Sequence, residues 1–147
     1  MKITVETPTD GEDEIIIRCR ELDAELMNLI YAIGQGRKRI TGYKDKAMVQ
    51  LVPAEIYYFE SVDNKVFTYC EKDVYEIKEK LYELESIYKN TDFQRISKSV
   101  IANISFIEAV IPILGAMLEA KLKNGERVII SRQYVLELKK KLGIGER

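Results

Sequence analysis

The stretch LEAKLK-NG-ERVIIS, residues 118–131, constrains the fold of this 147-residue chain more than any other. Apolar and polar residues alternate on both sides of Asn124-Gly125, the period of a half-buried strand. An Asn-Gly pair also suits the positive φ angles of a two-residue type I′ turn. The sequence therefore predicts an antiparallel hairpin at this point. Similar short β-prone runs fill the chain before it: AMVQLV (47–52), EIYYFES (55–61), KVFTYC (65–70), FQRIS (93–97) and FIEAVIPI (106–113). Pro112 lacks the N–H that a central strand would donate, so the last run should end there or lie at a sheet edge.

Helical spacing is confined to three places. Asp23 can cap a helix over 23–33 with Leu26, Leu29, Ile30 and Ile33 on one face and Gly34 as its stop, while Leu22 and Met27 stand at staple positions. Ile77, Leu81, Leu84 and Tyr88 share a face around a short helix near 79–86. Ser131 can cap a helix over 132–142 that turns Val135, Leu138 and Leu142 inward, with Gly143 after it. KITVE (2–6) and EIIIRC (14–19) read as two further strands, with Ile15, Ile17, Leu26, Ile30 and Ile33 buried. The predicted fold is α+β and mainly antiparallel β, with residues 1–45 as a small strand–strand–helix unit and residues 46–147 as the larger domain.

Composition removes several function classes. The chain has no histidine, which excludes a Ser-His-Asp triad, a Cys-His nucleophile pair and a histidine-ligated metal. Cys19 and Cys70 are too few and too isolated for a disulfide framework or a zinc site, and both lie in β-like runs, so buried reduced thiols are expected. A redox-sensing thiol would instead require exposure and a lowered pKa. Four carboxylates between Glu76 and Glu85 could form an acid/base pair, but Glu79, Lys80 and Glu83 at helical spacing read as a solvated ion-pair face. No catalytic residue, cofactor or metal is expected. No apolar run approaches the roughly 18 residues of a membrane span, and the acidic start MKITVETPTDGEDE is unlike a signal peptide, so the expected location is the cytoplasm.

A net charge of −1 conceals a division. Residues 1–94 carry 13 basic and 19 acidic side chains, residues 95–147 carry 10 and 5, and the excess of basic groups points to an anion-facing end. Three basic or polar stretches call for a use. GQGRKRITGYKDK (34–46) lacks P-loop spacing and reads as a loop and hairpin, with Arg37, Lys38 and Arg39 either solvated or touching a nucleic-acid backbone. SRQY puts Arg132 and Gln133 at the first two positions of the last helix, where outward N–H groups and the helix dipole favour a phosphate; a plain capped surface helix would look the same. RISKSVIAN (95–103) sets Arg95, Ser97, Lys98 and Ser99 directly before Val100 and Ile101, as a polar connector or as a surface that touches an anion.

The order of these segments decides among the readings. EIYYFES-VDNKVFTY, then Tyr75 leading into KEKLYELES, then DFQRISKSVIANISFI, then KLKNGERVIISRQYVLEL resembles a LytTR domain, the DNA-binding domain of LytR/AlgR-type bacterial transcription regulators. The resemblance covers roughly residues 50–142. It implies an elongated set of antiparallel sheets that contacts double-stranded DNA through loops entering successive grooves, without a recognition helix. The matching loops are Asp63-Asn64-Lys65, Arg95 to Ser99, and Ser131 to Tyr134. Lys65, Lys98 and Gln133 fall where family members place base-reading side chains, and Ser99 and Arg132 suit phosphate. The family's Arg-x-His-x-Ser block has Ser97 in place of the histidine, which removes a ring and its second nitrogen.

The resemblance also sets expectations beyond the site. LytTR domains commonly follow a phosphorylated receiver domain, and the 45 or so residues before the match are too few for one; a stand-alone regulator is expected. The N-terminal unit would then serve as a homodimer interface, bind a partner membrane protein that regulates the chain, or complete the core. The competing function is a protein–protein interaction module that uses the basic C-terminal part as a scaffold with no specific DNA site.

Overall fold

The computed structural model describes residues 2–7, 9–11, 14–36 and 39–144, without the side chains at 31, 32 and 34–36. Among the described residues the chain forms α1 (Ala24–Gly36), β1 (Ile40–Lys44), β2 (Ala47–Leu51), β3 (Tyr58–Val62), β4 (Lys65–Tyr69), β5 (Val74–Ile77) and α2 (Leu81–Ile87). Then follow β6 (Phe93–Arg95), β7 (Val100–Asn103), β8 (Ile107–Ile113), β9 (Met117–Leu122), β10 (Arg127–Ile130) and α3 (Arg132–Leu142). The strands form a seven-stranded sheet in the order β2-β1-β5-β4-β3-β7-β6 and a three-stranded sheet in the order β10-β9-β8. Every pairing is antiparallel, as the α+β reading expects.

The two cores explain why Tyr58-Phe59 in β3 and Val100-Ile101-Ala102 in β7 are apolar at successive positions rather than alternating. Phe59 and Ile101 point to one side of β3 and β7 and pack with Leu81, Leu84 and Tyr88 around α2. Tyr58, Val100 and Ala102 point to the other side and meet Leu118, Ala120, Leu122, Val128, Ile130 of the small sheet and Leu138 of α3. Strands covered on both faces need apolar side chains at successive positions, because neither face meets water. The edge strand β10 keeps the alternation, reading exposed, buried, exposed, buried. Pro112 lies in β8, an edge strand, where its missing N–H breaks no ladder.

Turn chemistry differs from the expectation at Asn124-Gly125. Only Gly125 has positive φ (91°), the Gly125 N–H donates to the Leu122 carbonyl at 2.9 Å, and the Leu122 N–H donates to the Glu126 carbonyl at 2.8 Å. This is a type I turn followed by a glycine bulge, one residue longer than type I′. The Asn124 carboxamide explains the choice: Oδ1 accepts from the Glu126 N–H at 3.1 Å, which suits a residue in ordinary right-handed φ. The two-residue turns with positive φ at both positions occur instead at Asp45-Lys46 and Asp63-Asn64.

The N-terminal part also departs from its expectation. Asp23 does cap α1, its Oδ1 accepting from the Leu26 N–H at 2.8 Å, but the helix runs past Gly34 to Gly36. KITVE and EIIIRC form no strand. None of the five side chains expected to be buried is: Ile15 and Ile30 are exposed, and Ile17, Leu26 and Ile33 are half-buried. Leu22 and Met27, the staple pair, are exposed as well. The physical reason lies in the body of the fold. Both faces of the central strands are already covered, one by α2 and one by the small sheet with α3, so no open core remains for a further layer. The segment 40–44, placed with the N-terminal part by its position in sequence, is a sheet strand. A side chain at Gly42 would put Cβ 2.7 Å from Tyr75 Cβ.

One buried polar residue joins the layers. Asn103 donates through Nδ2 to the Ile56 carbonyl at 2.9 Å, and its Oδ1 accepts from the Ser105 N–H at 3.1 Å and the Ser105 hydroxyl at 2.7 Å. Thr68 is equally buried, but its hydroxyl has no hydrogen-bond partner among the described residues. Truncating the two should therefore have opposite consequences. In urea unfolding, Asn103→Ala is expected to cost about 1–3 kcal/mol, because the Ile56 carbonyl loses its donor, whereas Thr68→Val should be neutral or stabilising.

Candidate nucleic-acid interface

The β6–β7 connection is a tight loop with little room for large side chains. The Ile96 N–H donates to the Val100 carbonyl at 3.0 Å, leaving Ser97, Lys98 and Ser99 to turn the chain. Ser97 Oγ accepts from the Ser99 N–H at 3.2 Å, so a small hydroxyl serves the turn itself. Arg95 is the organiser. Its Nε donates to the Ser97 carbonyl at 2.7 Å, Nη2 to the Lys98 carbonyl, and Nη1 to Glu85 Oε1 at 2.7 Å. With its charge paired to Glu85 and its side chain only 17% exposed, Arg95 is a positioning residue of the loop rather than a free cation.

Two backbone bonds fix this loop between the sheets. The Ser61 N–H of β3 donates to the Ser99 carbonyl at 2.8 Å, which extends the large sheet to the loop. The Ser131 N–H donates to the Ile96 carbonyl at 2.8 Å, which ties the loop to the start of α3. Ile96 itself is fully buried in the second core. Ser131 occupies the N-cap position in extended backbone, yet its side chain makes no capping bond; its carbonyl accepts from the Tyr134 N–H at 2.8 Å instead. The expected hydroxyl cap does not form, and the Tyr134 N–H it would have taken is bonded to the Ser131 carbonyl. At the far end Gly143 is left-handed (φ 74°) as expected, its N–H bonded to the Lys140 carbonyl.

These ties gather most of the expected site residues around two adjoining depressions. One, of about 630 Å³, is lined by Ser97, Lys98, Ser99, Ser131, Arg132 and Gln133, with Gly115 and Met117 completing its wall. The other, of about 370 Å³, is lined by Asn64, Arg95 and Lys98 together with Ser61, Val66, Lys80, Leu81 and Tyr82. Lys98 borders both. Lys65 follows Asn64 at the start of β4 and is exposed, but lines neither depression. The side chains of Lys65, Lys98, Arg132 and Gln133 are exposed and make no hydrogen bond or ion pair with any other described residue.

Sequence reasoning missed seven wall residues: Ser61, Val66, Lys80, Leu81, Tyr82, Gly115 and Met117. Lys80 donates through Nζ to the Asn64 carbonyl at 3.3 Å and so braces the β3–β4 turn, while Glu83 Oε1 accepts from the Lys80 N–H at 3.0 Å. The Lys-x-x-Glu spacing before an apolar helix face signals a helix start, but not its closeness to Asn64. Tyr82, 72% exposed, carries an aromatic ring to the same wall. Gly115 and Met117 come from a hairpin whose direction no local pattern reveals.

Other expected groups lie elsewhere. Arg37 and Lys38 fall outside the described residues, and Arg39 donates to Gln50 Oε1 at 3.4 Å on the β1–β2 side of the large sheet. That side is the opposite edge from β6. Cys19 is exposed, contrary to the buried thiol expected, since no strand forms around it. Cys70 is half-buried, and burial pushes its thiol up to about 11, which keeps it protonated and unreactive near neutral pH. No helix among the described residues is long and apolar enough to cross a membrane.

The chain resembles known proteins in sequence and in fold. It is 32% identical over 100 residues to the sensory transduction protein LytT of Bacillus cereus and to that of Bacillus anthracis, a match that covers 68% of this chain and only 41% of theirs. It is 27% identical over 137 residues to an HTH-type transcriptional regulator of Staphylococcus aureus, with 92% of each chain covered. Despite that description, α2 and α3 here are separated by five strands and form no helix-turn-helix. The solved LytTr DNA-binding domain of a Bacillus cereus response regulator superposes with a TM-score of 0.68 at 28% identity, covering 74% of this chain and 99% of that one. Residues 46–143 match the family model of the LytTr DNA-binding domain, and the chain belongs to that family.

Proposed function

We propose that this chain is a sequence-specific regulator of transcription that grips one side of duplex DNA with the Asn64-Lys65 turn, the Ser97–Ser99 loop and the start of α3. The observation that carries the reading is that four exposed side chains free of partners among the described residues, Lys65 at the start of β4, Lys98 on the β6–β7 loop, and Arg132 and Gln133 at the start of α3, lie around a loop tied by backbone bonds to β3 and to the start of α3. Protein groups that serve only the fold are bonded within it, as Arg95 is. Lys98 and Lys65 can donate to guanine O6 and N7, and the Gln133 carboxamide offers the paired donor and acceptor that an adenine edge requires. Arg132 and the N–H groups of the first turn of α3 suit a phosphate. Ser97 and Ser99 shape their loop, and Ser99 is close enough to its tip to add a phosphate contact.

The N-terminal segment fits a second copy of the chain. Ile3, Val5, Ile15, Ile16, Leu22, Met27, Leu29 and Ile30 are all exposed, between 38% and 84%. Burying them would remove on the order of 800 Å² per protomer, which is what one side of a standard interface covers. KITVE and EIIIRC are β-prone runs without a strand partner among the described residues, and a second copy would supply one. The described part of this segment is rich in acidic groups (Glu6, Asp10, Glu14, Glu21, Asp23, Glu25), which disfavours an anionic lipid surface or DNA as its partner.

Three measurements check these assignments. With a site selected from random DNA, Gln133→Ala should cost about 1–3 kcal/mol and relax preference at one base pair, while Arg132→Ala should weaken all duplexes and reduce the salt slope by about one unit. Arg95→Met should weaken specific binding without changing that slope by a full unit, since its charge is paired and its role is to hold the loop; amide exchange at Ser99 should speed up as well. In sedimentation equilibrium the full chain should be a dimer that Ile16→Asp with Leu29→Asp converts to a folded monomer. A monomeric wild type, or a double variant that still dimerises, would remove the N-terminal interface.

A further inference from the structure

The tip of the β8–β9 hairpin is built against the ordinary rules of a soluble surface. Leu114 is 92% exposed, more than any other large apolar side chain among the described residues. Gly115 has φ 79°, and Ala116, which carries a side chain, is held at φ 58° in the left-handed region. A side chain at Gly115 would meet only Met117 Cε, at 3.7 Å, so the backbone angle and not crowding calls for glycine there. Folding gains nothing from an exposed leucine on a turn of this kind. Other hairpin turns of this fold, at Asp45-Lys46 for example, also hold positive φ, so it is the exposed leucine rather than the backbone angle that calls for a use.

The position of the tip supplies the requirement. Gly115 and Met117 line the depression that also holds Lys98, Arg132 and Gln133. Leu114 is not itself in that lining, but it directly precedes Gly115, so an exposed apolar side chain adjoins a wall shared with two unpaired cations and a carboxamide. Phosphate satisfies the cations and offers the leucine nothing. A base edge satisfies both: an A·T pair presents the adenine N6 and N7 groups and the thymine 5-methyl group in the same major groove.

We propose that Leu114 packs against a thymine methyl group in the major groove, next to the base pair that Gln133 reads. The proposal rests on the assignment of this face to DNA and adds a specificity-determining residue to it. Insertion of Leu114 between stacked bases is the other apolar use, but wedges of that kind enter from the minor groove and kink the duplex. The residues that share a depression with Gly115 and Met117 are suited to the major groove.

The test compares the full chain with its Leu114→Ala variant on the selected site, with each thymine in turn replaced by deoxyuridine, which lacks only the methyl group. The exposed position predicts an unchanged melting temperature for the variant. One thymine should matter: its replacement should weaken the wild type about three- to tenfold, as expected for one buried methyl contact. Leu114→Ala should weaken binding by a similar factor on thymine DNA and be indifferent to deoxyuridine at that position. A variant that binds as tightly as the wild type overturns the proposal. So does one that loses affinity equally on thymine and deoxyuridine DNA, or one that abolishes a protein-induced bend. Arg132→Ala and Lys98→Ala serve as controls on the face itself. If they too bind as the wild type does, the assignment of this face to DNA fails; if they weaken while Leu114→Ala does not, only the leucine contact fails.

Discussion

The hydrogen bond from the Ser131 N–H to the Ile96 carbonyl is the contact on which the arrangement of the site depends. Ile96 is anchored in the core between the sheets, and Ser131 is the first residue before α3. The bond therefore fixes the β6–β7 loop relative to a helix whose N-cap lies 35 residues after Ile96 in sequence. Together with the Ser61 to Ser99 bond, it makes one rigid unit from the ends of two sheets and a helix. Two surfaces that read a duplex in register must not move relative to one another, and backbone bonds between sheets meet that need better than long side chains do.

A division of labour follows among the polar residues. Arg95, Ser97, Lys80 and Asn103 spend their donors and acceptors inside the protein, on loop carbonyls, turn amides and a buried carbonyl. Lys65, Lys98, Arg132 and Gln133 leave theirs toward solvent. The first group determines where the second group stands. Ser97, in the place of the family's histidine, belongs to the first group in this chain: its hydroxyl closes the turn on the Ser99 N–H. The LytTr family and the superposed Bacillus cereus domain indicate the kind of ligand, and the free donors are the ground for the proposal of which side of the fold meets it.

Much of the architecture was legible in the sequence because its signals were local. Helix α3 lies where its apolar spacing and Gly143 put it, and the strands of the hairpin around Asn124-Gly125 lie where their alternation predicts. Where the signals compete, local reading failed. Asn-Gly is compatible with two turn types, and the Asn124 side chain selects the one with a bulge. Apolar spacing at residues 14–33 shows that these residues need cover, but it does not say whether the cover lies in the same chain; here the body offers none. The proposed site was legible as three polar stretches. Arg95 looks like a ligand-binding cation in sequence, and only its geometry beside Glu85 and two carbonyls reveals a structural role. Lys80, Tyr82 and the β8–β9 tip were not legible, because their nearness to the loops arises from sheet order alone.

The central claim is that rigidly joined loops contact one side of a duplex in successive grooves. Hydroxyl-radical footprinting of the full chain on a site selected from random DNA tests it directly. The account predicts two or three short protected patches on each strand, spaced by about one helical turn of 10–10.5 base pairs and lying on a single face of the helix. Uniform protection around the whole circumference, or no protection above that on random DNA, would contradict it.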